Sequence, residues 1–311
     1  MSLNFQSINL SEPTEEFKQS VCKNFNTSLE QLEKDVLSLR EWLKSQTHLP
    51  QCASDTMLKA YLIACKNKMD RAKTKIENYY VARAELPEIF SDRDPASQKI
   101  TIDGEIIHIY TLPKLTPDGC RVNMVGFRTT EAKRFDTNAY SKRTLMAEDI
   151  KINKEAFVNG AYFVFDGRFM SMSHVMKVTP RMCYNLVHCA QNVLPVIIRG
   201  IIFINAPSYL EIILSFLRPF MKSKLFQRIH VHTKGPEVLE KYFPIALLPK
   251  DYGGEEDNSD LLNESWMKCL RDNKDWFLKE GQLKADIKVA PTEKKKEFEE
   301  MQGSFKALAI D

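Results

Sequence analysis

The sequence lacks the features of a membrane-spanning or secreted protein. No apolar run approaches the ~18 to 20 residues that a membrane-spanning helix needs. The first residues, MSLNFQSINLSEPTEEF, lack the basic and apolar blocks of a signal peptide. The seven cysteines are odd in number and have no paired spacing, which favours reduced thiols that pack as small apolar groups. We therefore expect a soluble, cytoplasmic protein.

The chain also lacks a strong charge of one sign. It carries 44 Lys and Arg against 41 Asp and Glu, a net charge of +3. This balance excludes the basic footprint that general nucleic-acid binding requires, so we expect no nucleic-acid partner. Any cationic binding site has to come from a local cluster of basic residues.

The motifs of common enzymes and metal sites are absent as well. The sequence has no GxGxxG, GxxxxGK[ST] or GxSxG, and the loop DGRFMSMSH holds a single glycine. His230 and His232 could supply two metal ligands, but no CxxC, HExxH or nearby acidic residue completes a set. Cys183 or Cys189 could pair with a histidine, although core packing is the simpler reading. We predict no enzyme activity, catalytic residue, metal or cofactor.

The first ~95 residues predict a helical module. Ser28 and Gln31 form a capping-box pair ahead of leucines at helical spacing. A second helical pattern covers residues 54–65, and Asp70 is expected to cap a third helix that runs toward Pro87. Pro95 and the Asp-Gly pair at 103–104 then predict breaks, followed by strands over residues 105–112 and 121–127.

Strands and helices alternate from residue 161 onward. The predicted strands cover residues 162–165, 200–205 and 228–232, and the predicted helices cover residues 179–194 and 207–222. This alternation favours βαβ units, so we predict an α/β fold with a mostly parallel sheet. A further helix is predicted near residues 261–277, before a charged run at 293–300 and an apolar end at 303–311.

The helix predicted over residues 207–222 has two apolar faces. One stripe contains Leu210, Leu214, Leu217 and Met221, and the other contains Tyr209, Ile213, Phe216 and Phe220. Two interpretations remain open. The helix is either enclosed in the core, or it is a lid that closes an apolar cavity with one face and presents the other to a membrane.

Two local clusters accompany this helix. The apolar cluster consists of Tyr162, Phe163, Phe165, Phe169, Met170, Met172 and Met176. It is typical either of a Met-rich core or of a soft lining for a flexible apolar ligand. The basic cluster consists of Arg199, Arg218, Lys222, Lys224 and Arg228. It consists either of solvated charges or of residues that would hold a phosphorylated head group.

Several motifs between residues 160 and 254 resemble the CRAL-TRIO (Sec14-like) lipid-binding domain. They are FVFD, the Ser-His pair at 173–174, the Thr-Pro pair at 179–180, LPVIIRGIIFINAP, RPFMKSKLFQRIHVH and LPKDYGG. The segment LKAYLIACKNKMDRAKTKIENYY resembles the helical module that precedes this domain in the family. The sequence of these motifs is similar to that of the branch that contains tocopherol-transfer, retinaldehyde-binding and clavesin proteins. The end GSFKALAID is similar to that of insect members.

The resemblance implies a sheet floor and a gating helix around one hydrophobic molecule, with the helix over residues 207–222 as the gate. The positions that match the family's pocket are Phe165, Met172, Leu186, Cys189, Ala190, Ile198 and Ile201, joined from the gate by Leu210, Leu214 and Leu217. The expected membrane contacts are Met172, Met176, Tyr209, Ile213, Phe216 and Phe220.

The resemblance also implies phosphoinositide binding beside the gate. The matching basic positions are Arg199, Lys224 and Arg228, with Arg218 nearby. Two family lysines are replaced here by Ile197 and Phe226, which thins the basic patch.

The resemblance leads to one main expectation and one alternative. We expect a monomeric carrier that transfers a tocopherol-, retinoid- or carotenoid-like ligand between membranes through transient peripheral contact. Phosphoinositide would trigger release. The alternative is a lipid-sensing regulatory module without net transfer. The expected division is a helical module at 1–95, a lipid-binding domain at 96–255 and a helical extension at 256–311.

Overall fold

A computed structural model describes residues 3–290 of the chain; the predicted charged run at 293–300 and the apolar end at 303–311 lie outside this range. The chain begins with five helices: α1 (Glu15–Asn24), α2 (Leu29–Ser45), α3 (Asp55–Ala64), α4 (Met69–Glu85) and α5 (Pro87–Phe90). Half of the predicted capping box of α2 is present: the Ser28 hydroxyl accepts from the Gln31 amide at 3.1 Å, but the Gln31 side chain donates to Asp35 instead of returning to Ser28. The helical character of this region is therefore as expected.

Two helix starts in this region differ from the prediction. α1 lies in the polar leader, where its Thr14 hydroxyl accepts from the Phe17 amide. α4 begins at Met69, so Asp70 is inside its first turn and does not cap it. A carboxylate in the first turn still stabilises the positive end of the helix dipole.

The sheet has five strands in the order β1 (Ile107–Thr111), β2 (Cys120–Phe127), β3 (Gly160–Asp166), β4 (Ile198–Ile204) and β5 (Ile229–Val231). β1 is antiparallel to β2, and the three other pairings are parallel. The predicted α/β fold with a mostly parallel sheet is confirmed. The remaining helices are α6 (Gln98–Ile106), α7 (Thr137–Lys154), α8 (Met172–Val175), α9 (Pro180–His188), α10 (Leu210–Leu217), α11 (Ser223–Phe226), α12 (Ser259–Asp272) and α13 (Lys274–Glu280).

The break predicted at the Asp-Gly pair is wrong, because both residues lie inside α6. The Asp103 carboxylate accepts from Arg143 Nε at 2.6 Å, and both side chains are buried. At Gly104, an added Cβ would lie 2.7 Å from the Met267 side chain. Tertiary contacts therefore use this Asp-Gly pair for a buried ion pair and a close helix approach.

The sequence does not predict α7, because charged residues occupy several of its buried positions and interrupt the apolar periodicity. Four of its charged side chains, Arg143, Glu148, Asp149 and Lys151, are buried. Asp149 is the hub of a buried network: it accepts from Tyr79 Oη at 2.8 Å and from Arg83 at 3.0 Å, and it also pairs with Arg93. The two guanidinium groups hold the pKa of the Asp149 carboxyl below its usual value although burial acts to raise it. This network joins α7 to the N-terminal helices.

The predicted helix over residues 207–222 is shorter in the structure. α10 ends at Leu217 and is followed by one 3-10 turn, Arg218–Phe220. Pro219 has no amide hydrogen and its ring clashes with the preceding turn of an α-helix, which explains the change.

Packing of the two terminal segments crosses the expected domain boundaries. Ile8 and Leu10 are buried in the core cluster that contains Trp266 of α12. At the other end, the Ala285 amide donates to the Tyr80 carbonyl at 2.9 Å, and the Asp286 amide donates to the His48 carbonyl at 2.9 Å. The division at residues 95 and 255 stays a prediction.

We expect Arg143→Leu to lower the free energy of unfolding by about 3–5 kcal/mol, because it leaves the Asp103 carboxylate buried without its partner. Urea denaturation measures this loss. Arg128→Leu is the control: Arg128 pairs with Asp260 at 2.9 Å on the surface, and such pairs contribute about 1 kcal/mol or less. Equal losses in the two variants would contradict a stabilising role for the buried pair.

Candidate functional site

A cavity of about 250 Å³ lies on one face of the sheet. Its floor includes Phe163, Phe165, Ile201 and Phe203, which alternate along β3 and β4 with residues of the opposite face. Those opposite residues, such as Val164 and Ile202, pack in a closed core with α12. The walls come from α7, α9 and the end of α10, and they are almost wholly apolar.

The structure brings most of the expected pocket residues together. Those on the cavity wall are Phe165, Leu186, Cys189, Ala190, Ile198, Ile201 and Leu217. Their contact with a ligand stays a prediction. Met172 is exposed at the start of α8 and does not reach the cavity. Leu210 and Leu214 do not line it either; they are buried in a small cluster with Phe203 and Ala206, because the start of α10 packs directly on the end of β4.

The cavity face of α10 lies between the two predicted stripes. Ile213 and Leu217, one helical turn apart, line the cavity, followed by Met221 after the 3-10 turn. The placement of Ile213 on the membrane side is therefore corrected. The exposed apolar residue of this helix is Ile212, which neither stripe contained.

The other expected membrane contacts differ in exposure. Met176 is 80% exposed and Met172 is 42% exposed, so both are accessible. Phe216 is half-buried. The Tyr209 hydroxyl donates to the Met170 carbonyl at 2.5 Å, and the Phe220 ring packs edge-on against Tyr184 with centroids 5.3 Å apart.

Three polar residues that sequence reasoning missed line the cavity from α7. Tyr140, Thr144 and Glu148 follow each other at intervals of four residues and so share one helix face. Glu148 pairs with Lys151 at 2.7 Å. Burial raises the pKa of Tyr140 to about 12, so its hydroxyl stays protonated and able to donate a hydrogen bond. The sequence shows that these residues are four apart, but this spacing places them on one face only if the segment is known to be a helix.

Asp166 fixes the chain where β3 and β4 end beside the cavity. Its two carboxylate oxygens accept from the Arg168 amide at 2.9 Å, Asn205 Nδ2 at 2.8 Å and Tyr252 Oη at 2.7 Å. Asn205 has a positive φ of 48°, a left-handed conformation in which asparagine is tolerated. This buried hinge sets the direction in which the chain leaves β4 for α10.

The histidines near the cavity contact aromatic side chains, and the thiols there are buried. His174 is buried against Phe127 with ring centroids 3.9 Å apart, and His232 contacts the Tyr242 hydroxyl at 3.0 Å. Burial raises the pKa of the Cys183 and Cys189 thiols to about 12. Within residues 3–290, no group of three or more His, Cys, Asp or Glu side chains is placed to bind a metal ion.

Three of the expected basic residues have defined partners. Arg228 donates to the Ile198 carbonyl, next to Arg199, whose Nε donates to the Asn159 carbonyl at 3.0 Å. Arg218 lies over the Phe226 ring at 5.3 Å from its centroid. Lys224 is exposed on α11. The Phe226 ring thus orients a neighbouring cation.

Comparison with known proteins gives matches over most of the chain. The Pinta-like UBA domain matches residues 28–100, and the CRAL/TRIO domain matches residues 108–254. The alpha-tocopherol transfer protein-like protein of Mus musculus is 27% identical over 249 residues, which are 79% of this chain and 71% of that protein. Clavesin-2 of Mus musculus is 29% identical over 119 residues, 38% of this chain and 36% of that protein.

The crystal structure of Sfh5 aligns with 85% of this chain and with 99% of the Sfh5 chain. The two share 12% sequence identity, and the TM-score of 0.48 indicates a distant likeness. The sheet floor, the apolar cavity and the short helix beside it define an α/β protein with an apolar cavity on one face of its sheet. Residues 108–254 of the chain match the CRAL/TRIO domain. Within the described part of the chain, none of the helices combines the length and apolar character needed to cross a bilayer.

We expect a small alkylating reagent at pH 8 to label Cys52 at least roughly tenfold faster than Cys183 or Cys189. Burial raises the pKa of all three thiols, but Cys52 is exposed to the reagent whereas Cys183 and Cys189 are buried. Mass spectrometry of digested protein measures the rates, and labelling in urea is the control that all thiols can react. Equal rates in the folded protein would mean that the cavity is open to solvent.

Proposed function

We propose that this protein is a carrier that takes up a small hydrophobic molecule from one membrane and delivers it to another. The observation that carries the proposal is the apolar cavity, whose wall is completed by Ile213, Leu217 and Met221 at the gate. Burying a few hundred Å² of apolar ligand surface at ~25 cal/mol per Å² supplies several kcal/mol before the costs of association. The wall needs no chemistry beyond exclusion of water.

The ligand we propose is an isoprenoid-type molecule with one hydrogen-bonding end, in the class of tocopherols, retinoids and carotenoids. The almost wholly apolar wall favours an uncharged ligand over a whole phospholipid, whose charged head group would need buried partners. Tyr140, Thr144 and Glu148 form the one polar strip of α7 in the wall. A hydroxyl or carbonyl group placed there would keep its hydrogen bonds while the rest of the ligand stays in apolar surroundings.

Delivery would occur while the gate side touches a membrane. Met172, Met176 and Ile212 present exposed apolar side chains on α8 and α10. Arg199, Arg218, Lys224 and Arg228 would attract anionic head groups, including phosphoinositides. The contacts would be transient and peripheral, since only a few apolar side chains are exposed.

We expect Ala190→Trp to reduce bound ligand by at least roughly tenfold, because the indole would occupy the cavity. The measurement is transfer of tocopherol, retinoid, carotenoid and sterol probes between donor and acceptor vesicles, together with the amount retained by the protein. Leu37→Trp, on the exposed side of α2, is the control and should transfer like the wild type.

Absence of both binding and transfer in the wild type for every probe would refute the carrier. Stable binding without net transfer would instead support the regulatory module. A thermal melt of Ala190→Trp shows whether the variant is folded, so that loss of ligand is not confused with loss of structure.

We expect a double variant, Arg218→Ala with Lys224→Ala, to bind phosphoinositide-containing vesicles roughly 30-fold more weakly. Each basic residue near an anionic surface contributes about 1 kcal/mol, and 1.4 kcal/mol is a factor of ten. Vesicle sedimentation at low and high salt measures the affinity. The control is Lys34→Ala with Lys44→Ala, two exposed cations on α2. An equal loss in the control would show that only net charge matters.

A further inference from the structure

The side chain of Gln191 bridges the cavity wall and the end of the gate. Its Nε2 donates to the Phe220 carbonyl at 3.0 Å, and its Oε1 accepts from the Lys222 amide at 2.9 Å. These two backbone groups flank Met221, whose side chain lines the cavity. One glutamine amide therefore satisfies the chain on both sides of the last cavity residue of the gate.

Gln191 stands on a firmly held part of the wall. It belongs to a π-helical turn, Cys189–Val193, that continues α9, and its neighbours Cys189 and Ala190 line the cavity. The N-terminal helices hold this turn from behind. Tyr61 Oη donates to the Val193 carbonyl at 3.1 Å, Asn78 Nδ2 to the Asn192 carbonyl at 3.2 Å, and Lys75 Nζ to the Leu194 carbonyl at 2.7 Å.

The two ends of the gate are held very differently. At the first end, Leu210 and Leu214 are buried. At the other end, none of the residues of the 3-10 turn or of α11 is buried. The Phe220 ring packs edge-on against Tyr184 at this end, and Lys222 Nζ lies 3.4 Å from Asn192 Oδ1. The Gln191 amide thus makes the shortest polar contacts that join this end to the wall.

We propose that Gln191 is a positioning residue that latches the gate, and that the gate opens first at Met221 while its Leu210 end stays in place. The inference rests on the proposed carrier function. Lys222 links the latch to the membrane, because its amide is bound by Gln191 and its ammonium group is exposed. An anionic surface that draws Lys222 outward pulls the same amide away from Gln191.

The latch is tested by amide hydrogen exchange in the lipid-free full chain. Gln191→Leu keeps the side-chain volume but removes both hydrogen bonds, and two such bonds correspond to a change on the order of tenfold or more in the opening equilibrium. We expect exchange to accelerate by that factor in residues 213–222, with no change in β4 or α4. Gln227→Leu is the matched control, since the structure of residues 3–290 shows no hydrogen bond of the exposed Gln227 side chain.

Unchanged exchange in residues 213–222 would overturn the latch, and so would an acceleration spread over the whole fold, which would indicate plain destabilisation. The exchange measurement needs no lipid. It therefore tests the latch even if the protein transfers none of the ligands and the carrier function is wrong. In vesicle assays, Gln191→Leu should release ligand faster to neutral acceptors than the wild type and show less gain from anionic lipid. Normal release kinetics together with unchanged exchange would reject the latch and leave the carrier intact.

Discussion

The structure depends on leaving a cavity over one apolar face of its β-sheet, where no helix packs closely against the strands. Phe163 and Phe165 face the cavity, while Val164 between them belongs to a filled core on the opposite face. Side chains that line a void lose dispersion contacts, and protein interiors normally close such gaps. The surrounding helices therefore have to be fixed at a distance from the sheet by something other than contact with it.

Buried polar networks supply this fixation. Asp149 ties α7 to α4 through Tyr79 and Arg83, and Arg143 ties the same helix to Asp103 of α6. Directional bonds between fixed groups set helix positions more narrowly than apolar packing does, and breaking one partner is costly. The same helix then carries Tyr140, Thr144 and Glu148 along the cavity. The framework that holds the space open also places its polar strip.

Local signals in the sequence predicted the elements whose causes are local. The Ser28 and Thr179 caps are present, with the Thr179 hydroxyl accepting from the Met182 amide at 3.2 Å, and the predicted strands are present with shifted ends. α6 and α7 were missed because their stability comes from distant partners: Met267 beside Gly104, and the arginines around Asp149. The two-faced pattern of α10 indicated a special helix, but could not say which line of residues faces inward.

The amino-acid sequence by itself determined the α/β alternation, the family motifs and the soft apolar character of the residues beside the sheet, because periodicity and composition are properties of neighbouring residues. The tertiary structure alone decided that Ile213 and not Leu214 lines the cavity, that α7 contributes a polar strip, and that Gln191 bonds the backbone on both sides of Met221. Each of these depends on contacts between segments far apart in the chain. Such contacts follow from the geometry of packing around an open space, and no local pattern encodes them.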